Sequence, residues 1–163
     1  MSTDQRLSLC LLGQPKILWA GQTLPIKRKL ARVLLYYLGS QPAMISRSDL
    51  LLLFWPDMPN ARQYLRDLLS KLKANLPDPD VIITDRDWLG LDYKKVVSDV
   101  ITFEELYEQL TLPFINLEGR AMPETIYKNT LDAVNLWKSP RFLDGISVYD
   151  YHDLVEWIDQ KNH

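Results

Sequence analysis

At 163 residues, 47% apolar and 25% charged, the chain is one ordinary domain or two small ones, and its composition argues against disorder, collagen-like repeats and a long solenoid. No apolar run approaches the roughly 20 residues of a membrane span and no secretion signal opens the chain, so a soluble cytoplasmic protein without a membrane partner is expected. The net charge of −2 hides a division: residues 1–95 carry 14 Lys and Arg against nine Asp, a balance of +5, whereas residues 96–163 carry five against 12 Asp and Glu, a balance of −7.

Such a split points to a basic, polyanion-binding module at 1–97 followed by an acidic module at 98–163 with another task. In the basic part, Arg6 to Leu12 and Lys16 to Trp19 read as short strands on either side of Gly13 and Pro15. The turn Ala20-Gly21 then leads into Gln22-Thr23-Leu24, so a small antiparallel sheet precedes any helix. Cys10, the single cysteine, lies in the first strand and reads as a buried thiol in a reducing compartment.

Leu30, Val33, Leu34, Tyr37 and Leu38 recur at helical steps as far as Gly39. Lys27, Arg28 and Lys29 crowd the start of that helix against its macrodipole; a nearby phosphate would explain them, and so would a solvated basic end. Ser46 reads as the N-cap of a second helix, with Asp49 as its capping-box partner and Ile45 against Leu50 as a hydrophobic staple, and Pro56 stops it. A third helix is expected from an Asn60 cap, with Gln63 three residues on, to about Leu76. Its apolar face holds Ala61, Tyr64, Leu65, Leu68, Leu69, Leu72 and Leu76. Its polar face holds Arg62, Gln63, Arg66, Ser70, Lys71 and Lys73, with Arg62, Arg66 and Lys73 close to one line. Val81–Thr84 and Trp88–Leu91, joined by Asp85-Arg86-Asp87, form a hairpin with Arg86 at its tip.

Sheet, three helices and hairpin make an α+β chain of the winged helix-turn-helix kind, in which the third helix enters the major groove of duplex DNA and the wing lies along the backbone or in the minor groove. Arg62 and Arg66 are the candidates for base edges, Lys71 and Lys73 for phosphates, and Arg86 for the wing contact. The expected core is Leu7, Leu9, Leu11, Val33, Leu34, Leu38, Leu53, Trp55, Leu65, Leu68, Leu69 and Leu72.

The acidic part predicts helices near Thr102–Leu110, Glu124–Trp137 and Tyr151–Gln160, with a loop from Thr111 to Thr125. Their apolar faces are Phe103, Leu106, Tyr107 and Leu110; Ile126, Leu131, Val134 and Trp137; and Leu154, Trp157 and Ile158. Two roles stay open for this part: an arm that works on a partner, or a lid drawn by its charge onto the basic face.

The stretches LSLCLLGQPKI, LPIKRKLARVLLYYLGSQPAMISRSDLLLLFWPD, NARQYLRDLLSKLKANL and VIITDRDWLGLD resemble, in order and spacing, the DNA-binding domain of SARP-type antibiotic regulatory activators. LFWPD followed by ARxxLRxxLSxLK is the most specific part. The resemblance implies a winged helix of the OmpR type. SDVITFEELYE, LDAVNLWKSPRFLDGI and LVEWID resemble, more loosely, the start of the bacterial transcriptional activator domain that follows in that family, implying a small TPR-like helical segment. Family versions of that module are much longer than residues 98–163, so the chain looks truncated within it. The function implied is a sequence-specific transcriptional activator that binds promoter direct repeats on double-stranded DNA, in two or more copies or as a homodimer, and recruits RNA polymerase.

The six glycines stand singly, so there is no phosphate-cradling loop, and no nucleophile elbow is present. His152 and His163 are the two histidines. Neither stands at metal-ligand spacing, and Asp150 and Asp153 beside His152 read as capping groups. No enzyme activity, cofactor or metal is therefore expected. The alternative function is a protein-interaction module on the same winged scaffold; the basic face of the third helix together with Arg86 favours DNA.

Overall fold

The computed structural model describes residues 5–114 and 124–163, with backbone alone for 111–114. In chain order the elements are β1 (Leu7–Cys10), β2 (Lys16–Trp19), β3 (Gln22–Thr23), α1 (Lys29–Gly39), β4 (Ile45–Ser46), α2 (Arg47–Phe54), α3 (Ala61–Asn75), a 3₁₀ turn at Pro79–Val81, β5 (Ile82–Thr84), β6 (Trp88–Leu91), β7 (Val96–Ser98), α4 (Asp99–Phe114), α5 (Glu124–Leu136) and α6 (His152–Lys161). No helix among the described residues is long and apolar enough to cross a membrane.

Alternation builds the first sheet: Leu7 and Leu9 turn inward from β1 while Ser8 and Cys10 stay partly exposed on its outer face. β2 and β3 follow as antiparallel neighbours across Ala20-Gly21, whose φ angles of 49° and 80° give the left-handed two-residue turn that suits strand twist. On its other edge β1 pairs in parallel with β7, Leu7 opposite Val96, a strand the sequence reading does not contain. The second sheet, in the order β4-β6-β5, is the expected hairpin with the start of the second helix added to it as β4.

Leu7, Leu9, Leu11, Leu34, Leu38, Leu65, Leu68 and Leu72 are almost completely buried, as expected. Two expectations for α2 and α3 are corrected. Leu53 is only partly buried, because α2 turns Leu50 and Phe54, four residues apart, to the core instead. Tyr64 is 42% exposed and lies stacked on Trp55, their ring centroids 6.2 Å apart, instead of entering the core. Where α1 ends against β1, Gly39 is required: a Cβ there would stand 2.4 Å from Cδ1 of Leu9.

The acidic part docks on the basic one. Phe142, Leu143, Val148 and Leu154 join the same core, and Trp157 of α6 packs edge-on against Tyr37 of α1 at 4.9 Å. Amides of Lys138, Leu143 and Asp144 donate to the carbonyls of Leu12, Leu11 and Gly13. The expected module boundary at 97/98 falls inside β7, which runs straight into α4.

α4 begins before Thr102 and continues through Thr111 to Phe114, into the segment expected to be a loop; residues 115–123 of that segment lie outside the described residues. α5 turns a different face inward from the one expected. Ile126 and Ala133 are buried with Thr130 between them, its hydroxyl donating to Ile126 O at 2.8 Å, while Leu131 and Val134 are 44% and 62% exposed. Ile126 and Ala133 pack with Leu110 of α4 beside Phe103 and Leu106, which leaves the bulkier Leu131 and Val134 facing outward.

Asp99 ties the two parts together. Its carboxylate accepts from Leu11 N at 2.8 and 2.9 Å and from Leu12 N at 3.0 Å. Burial, the largest influence, still pushes its carboxyl above the usual 3.8, outweighing these donors, which favour the charged form. The folded chain thus holds this proton more tightly than the unfolded chain. Its contribution to stability is full below the ordinary carboxylate value and is lost as pH rises through the raised one. In urea denaturation at a series of pH values, the parent should lose stability relative to Asp99→Asn as pH rises through that window; parallel curves would contradict this.

Candidate nucleic-acid interface

The start of α2 is fastened to the β5–β6 hairpin, which stands where the wing is expected. Ser46 Oγ accepts from Asp49 N at 3.0 Å, the expected cap, and Ser46 pairs with Trp88 across β4 and β6. The next residue, Arg47, donates its backbone N–H to Asp87 O at 2.8 Å and its Nε to Asp85 O at 3.1 Å. At the wing tip Asp85 Oδ1 accepts from Arg86 N at 2.5 Å, and Asp85 N donates to Trp88 O at 2.9 Å. This tight turn leaves Arg86 exposed.

Between α2, α3 and the wing lies a cleft of about 190 Å³ lined by Arg47, Ser48, Leu51, Arg62, Leu65, Arg66, Arg86 and Asp87. Arg62 and Arg66 reach it because they stand one helical turn apart at the N-terminal end of α3, directly above the buried Leu65 and Leu69 stripe. Among the described residues none of Arg62, Arg66 and Arg86 is ion-paired. Converging guanidiniums with free donors favour an anion with several acceptor oxygens, such as a nucleic-acid phosphate, or the acceptor edge of guanine.

The other expected site residues are placed differently. Lys73 Nζ donates to Thr84 Oγ1 at 3.4 Å, which ties the C-terminal half of α3 to β5. Gln63 Nε2 donates to Asp67 Oδ1 at 2.9 Å. Ser70 and Lys71 are exposed, and Lys71 stands about half a turn around the helix from Arg62. Asn60 precedes α3 without a side-chain capping bond; its carbonyl accepts from Gln63 N and Tyr64 N instead. Lys27, Arg28 and Lys29 are exposed at the start of α1 and do not line the cleft. Nearby, Arg32 Nη1 turns back to Ile26 O and Lys27 O at 2.7 and 2.9 Å.

Arg47 is the cleft residue that sequence reasoning missed. Its position just after the Ser46 cap was visible, but the wing carbonyls that hold it lie 38 residues away. Among the described residues, none from the acidic part lines the cleft.

His152, Asp153 and Glu156 each bring a donor atom to within 4.8 Å of the others, closer than the sequence spacing suggested, because α6 puts positions three and four apart side by side, Glu156 beside both Asp153 and His152. His152 and Glu156 are exposed, and Asp153 stands in the first turn of α6, where a carboxylate offsets the helix dipole.

No protein-family model matches the chain, and no curated protein matches it in sequence. In three dimensions it is similar to Mycobacterium tuberculosis EmbR, solved in complex with a low affinity phosphopeptide. The TM-score is 0.69 at 20% sequence identity, over 96% of this chain and 41% of that one. The likeness shows the fold. Nearly the whole chain follows the mixed α+β path of EmbR, and it spans about two-fifths of the EmbR chain.

Proposed function

We propose that the chain is a transcriptional regulator that binds double-stranded DNA through an OmpR-type winged helix. α3 lies in the major groove, Arg62 and Arg66 meet base edges, and Arg86 and Arg47 clasp the backbone on either side of the cleft. The observation that carries this reading is the convergence of four arginines from α2, α3 and the wing on one cleft. The EmbR-like fold and the SARP-type motifs support it. Lys71 and Lys73 take flanking phosphates in this arrangement, as do Lys27, Arg28 and Lys29 where the duplex extends past the cleft. Gln63 and Ser70 are further donors on the exposed side of α3.

Residues 1–97 act as the DNA reader. Residues 98–163, the TPR-like start of an activator domain, act as the arm that engages RNA polymerase in the cytoplasm, with two or more copies on promoter direct repeats. An arm fits the docked acidic part better than a lid does, because its described residues stand away from the cleft lining. The Arg86→Ala variant tests the wing. Its affinity for duplex DNA should fall several-fold and its salt slope should flatten by about one unit. An unchanged footprint and affinity would remove the wing from the interface, and absence of any DNA binding by the parent would favour the protein-interaction alternative.

A further inference from the structure

We infer that a second site, on the side of the molecule formed by the first sheet, binds a small organic anion: a carboxylate carried on a short aliphatic body. A groove of about 700 Å³ runs between the outer face of β1 and β2 and the segment 138–145. That volume falls within the roughly 300–1,000 Å³ of small-molecule sites. Its floor is apolar, because strand alternation turns Cys10 and Leu18 outward, and Leu12 continues it.

Two cations stand over this floor from opposite sides. Lys16 comes from β2, and Lys138 from the opposing wall, where its Nζ donates to Asn135 O at 2.8 Å. Asp144 is the one acid lining the groove, and one of its oxygens is taken by the Ser139 hydroxyl at 2.6 Å. Asp99 lies behind the same floor with its carboxylate already taken by Leu11 N and Leu12 N. The lining itself thus offers two cations and one partly engaged acid above an apolar surface, the pairing that a carboxylate with a hydrocarbon body satisfies.

The groove is also preformed. Lys138 N donates to Leu12 O at 2.9 Å and Asp144 N to Gly13 O at 2.8 Å, so the wall is hydrogen-bonded to the end of β1. Gly13, at φ 125°, lets it come that close: a Cβ there would stand 3.0 Å from Ser139 N. Both parts of the chain contribute, so a ligand here bridges the seam between them. The site is separate from the arginine cleft and does not depend on DNA binding.

Octanoate is the probe. Cys10 is the single cysteine and lines the floor, so its rate of reaction with an aromatic disulfide reagent reports occupancy. Saturating octanoate should slow that reaction at least about fivefold and give saturable heat in calorimetry. Lys16→Glu and Lys138→Glu should each weaken binding about tenfold or more with an unchanged melting temperature, and Lys138→Arg should keep it. Leu18→Gln gives a second test, of the floor, with the same loss expected. No saturable binding, binding indifferent to all of these variants, or equal protection by inorganic phosphate would overturn the proposal.

Discussion

Leu68→Ala should destabilise the chain by about 2–5 kcal/mol, the range for deleting a fully buried leucine side chain from a core that cannot collapse around the gap. Leu68 is 0% exposed and stands at the centre of the α3 stripe, flanked by the buried Leu65 and Leu72 on the same helix and sharing a core with Leu7, Leu34 and Leu50. At roughly 2–4 °C per kcal/mol for a domain of this size, the melting temperature should fall by about 4–20 °C. Leu52→Ala is the companion. Leu52 is 61% exposed, so its removal should change stability by less than about 0.5 kcal/mol. Urea denaturation of both variants decides the matter, and a Leu68→Ala chain as stable as the parent would mean that α3 presents a different face to the core.

What the sequence made legible is largely what is local. The Ser46 cap, the inward leucines of β1 and the alternation of arginine and leucine along α3 are set within a few residues, and each stands where the pattern placed it. What escaped depends on partners distant in the chain. β7 is three residues long and exists because Val96 finds Leu7 across the sheet. Arg47 joins the cleft because Asp85 and Asp87 return beside it. In α5 two overlapping stripes compete: one runs through Ile126, Thr130 and Ala133, the other through Tyr127, Leu131 and Val134. Hydrophobicity favours the second, whereas close packing on α4 selects the first, and periodicity alone does not separate them.

Replacing Arg62 and Arg66 together by alanine should cost roughly 2–5 kcal/mol of affinity on a selected duplex, taking about 1–3 kcal/mol for each lost base contact and allowing for coupling between neighbours. The loss on unrelated DNA should be smaller, so preference for the selected site should largely disappear. Stability should barely change, since both side chains are exposed and neither is ion-paired among the described residues. A double variant that keeps its site preference would move base reading off the N-terminal half of α3.

The central claim is that four arginines on one cleft bind the DNA backbone and bases, and titration of the full chain with duplex DNA at several salt concentrations tests it most directly. The logarithm of the binding constant should fall linearly with the logarithm of salt, with a slope of about −6 if Arg47, Arg86, Lys71, Lys73, Lys27, Arg28 and Lys29 each meet one phosphate and displace its counterion. Absence of binding at low salt, or binding indifferent to salt, would contradict the account.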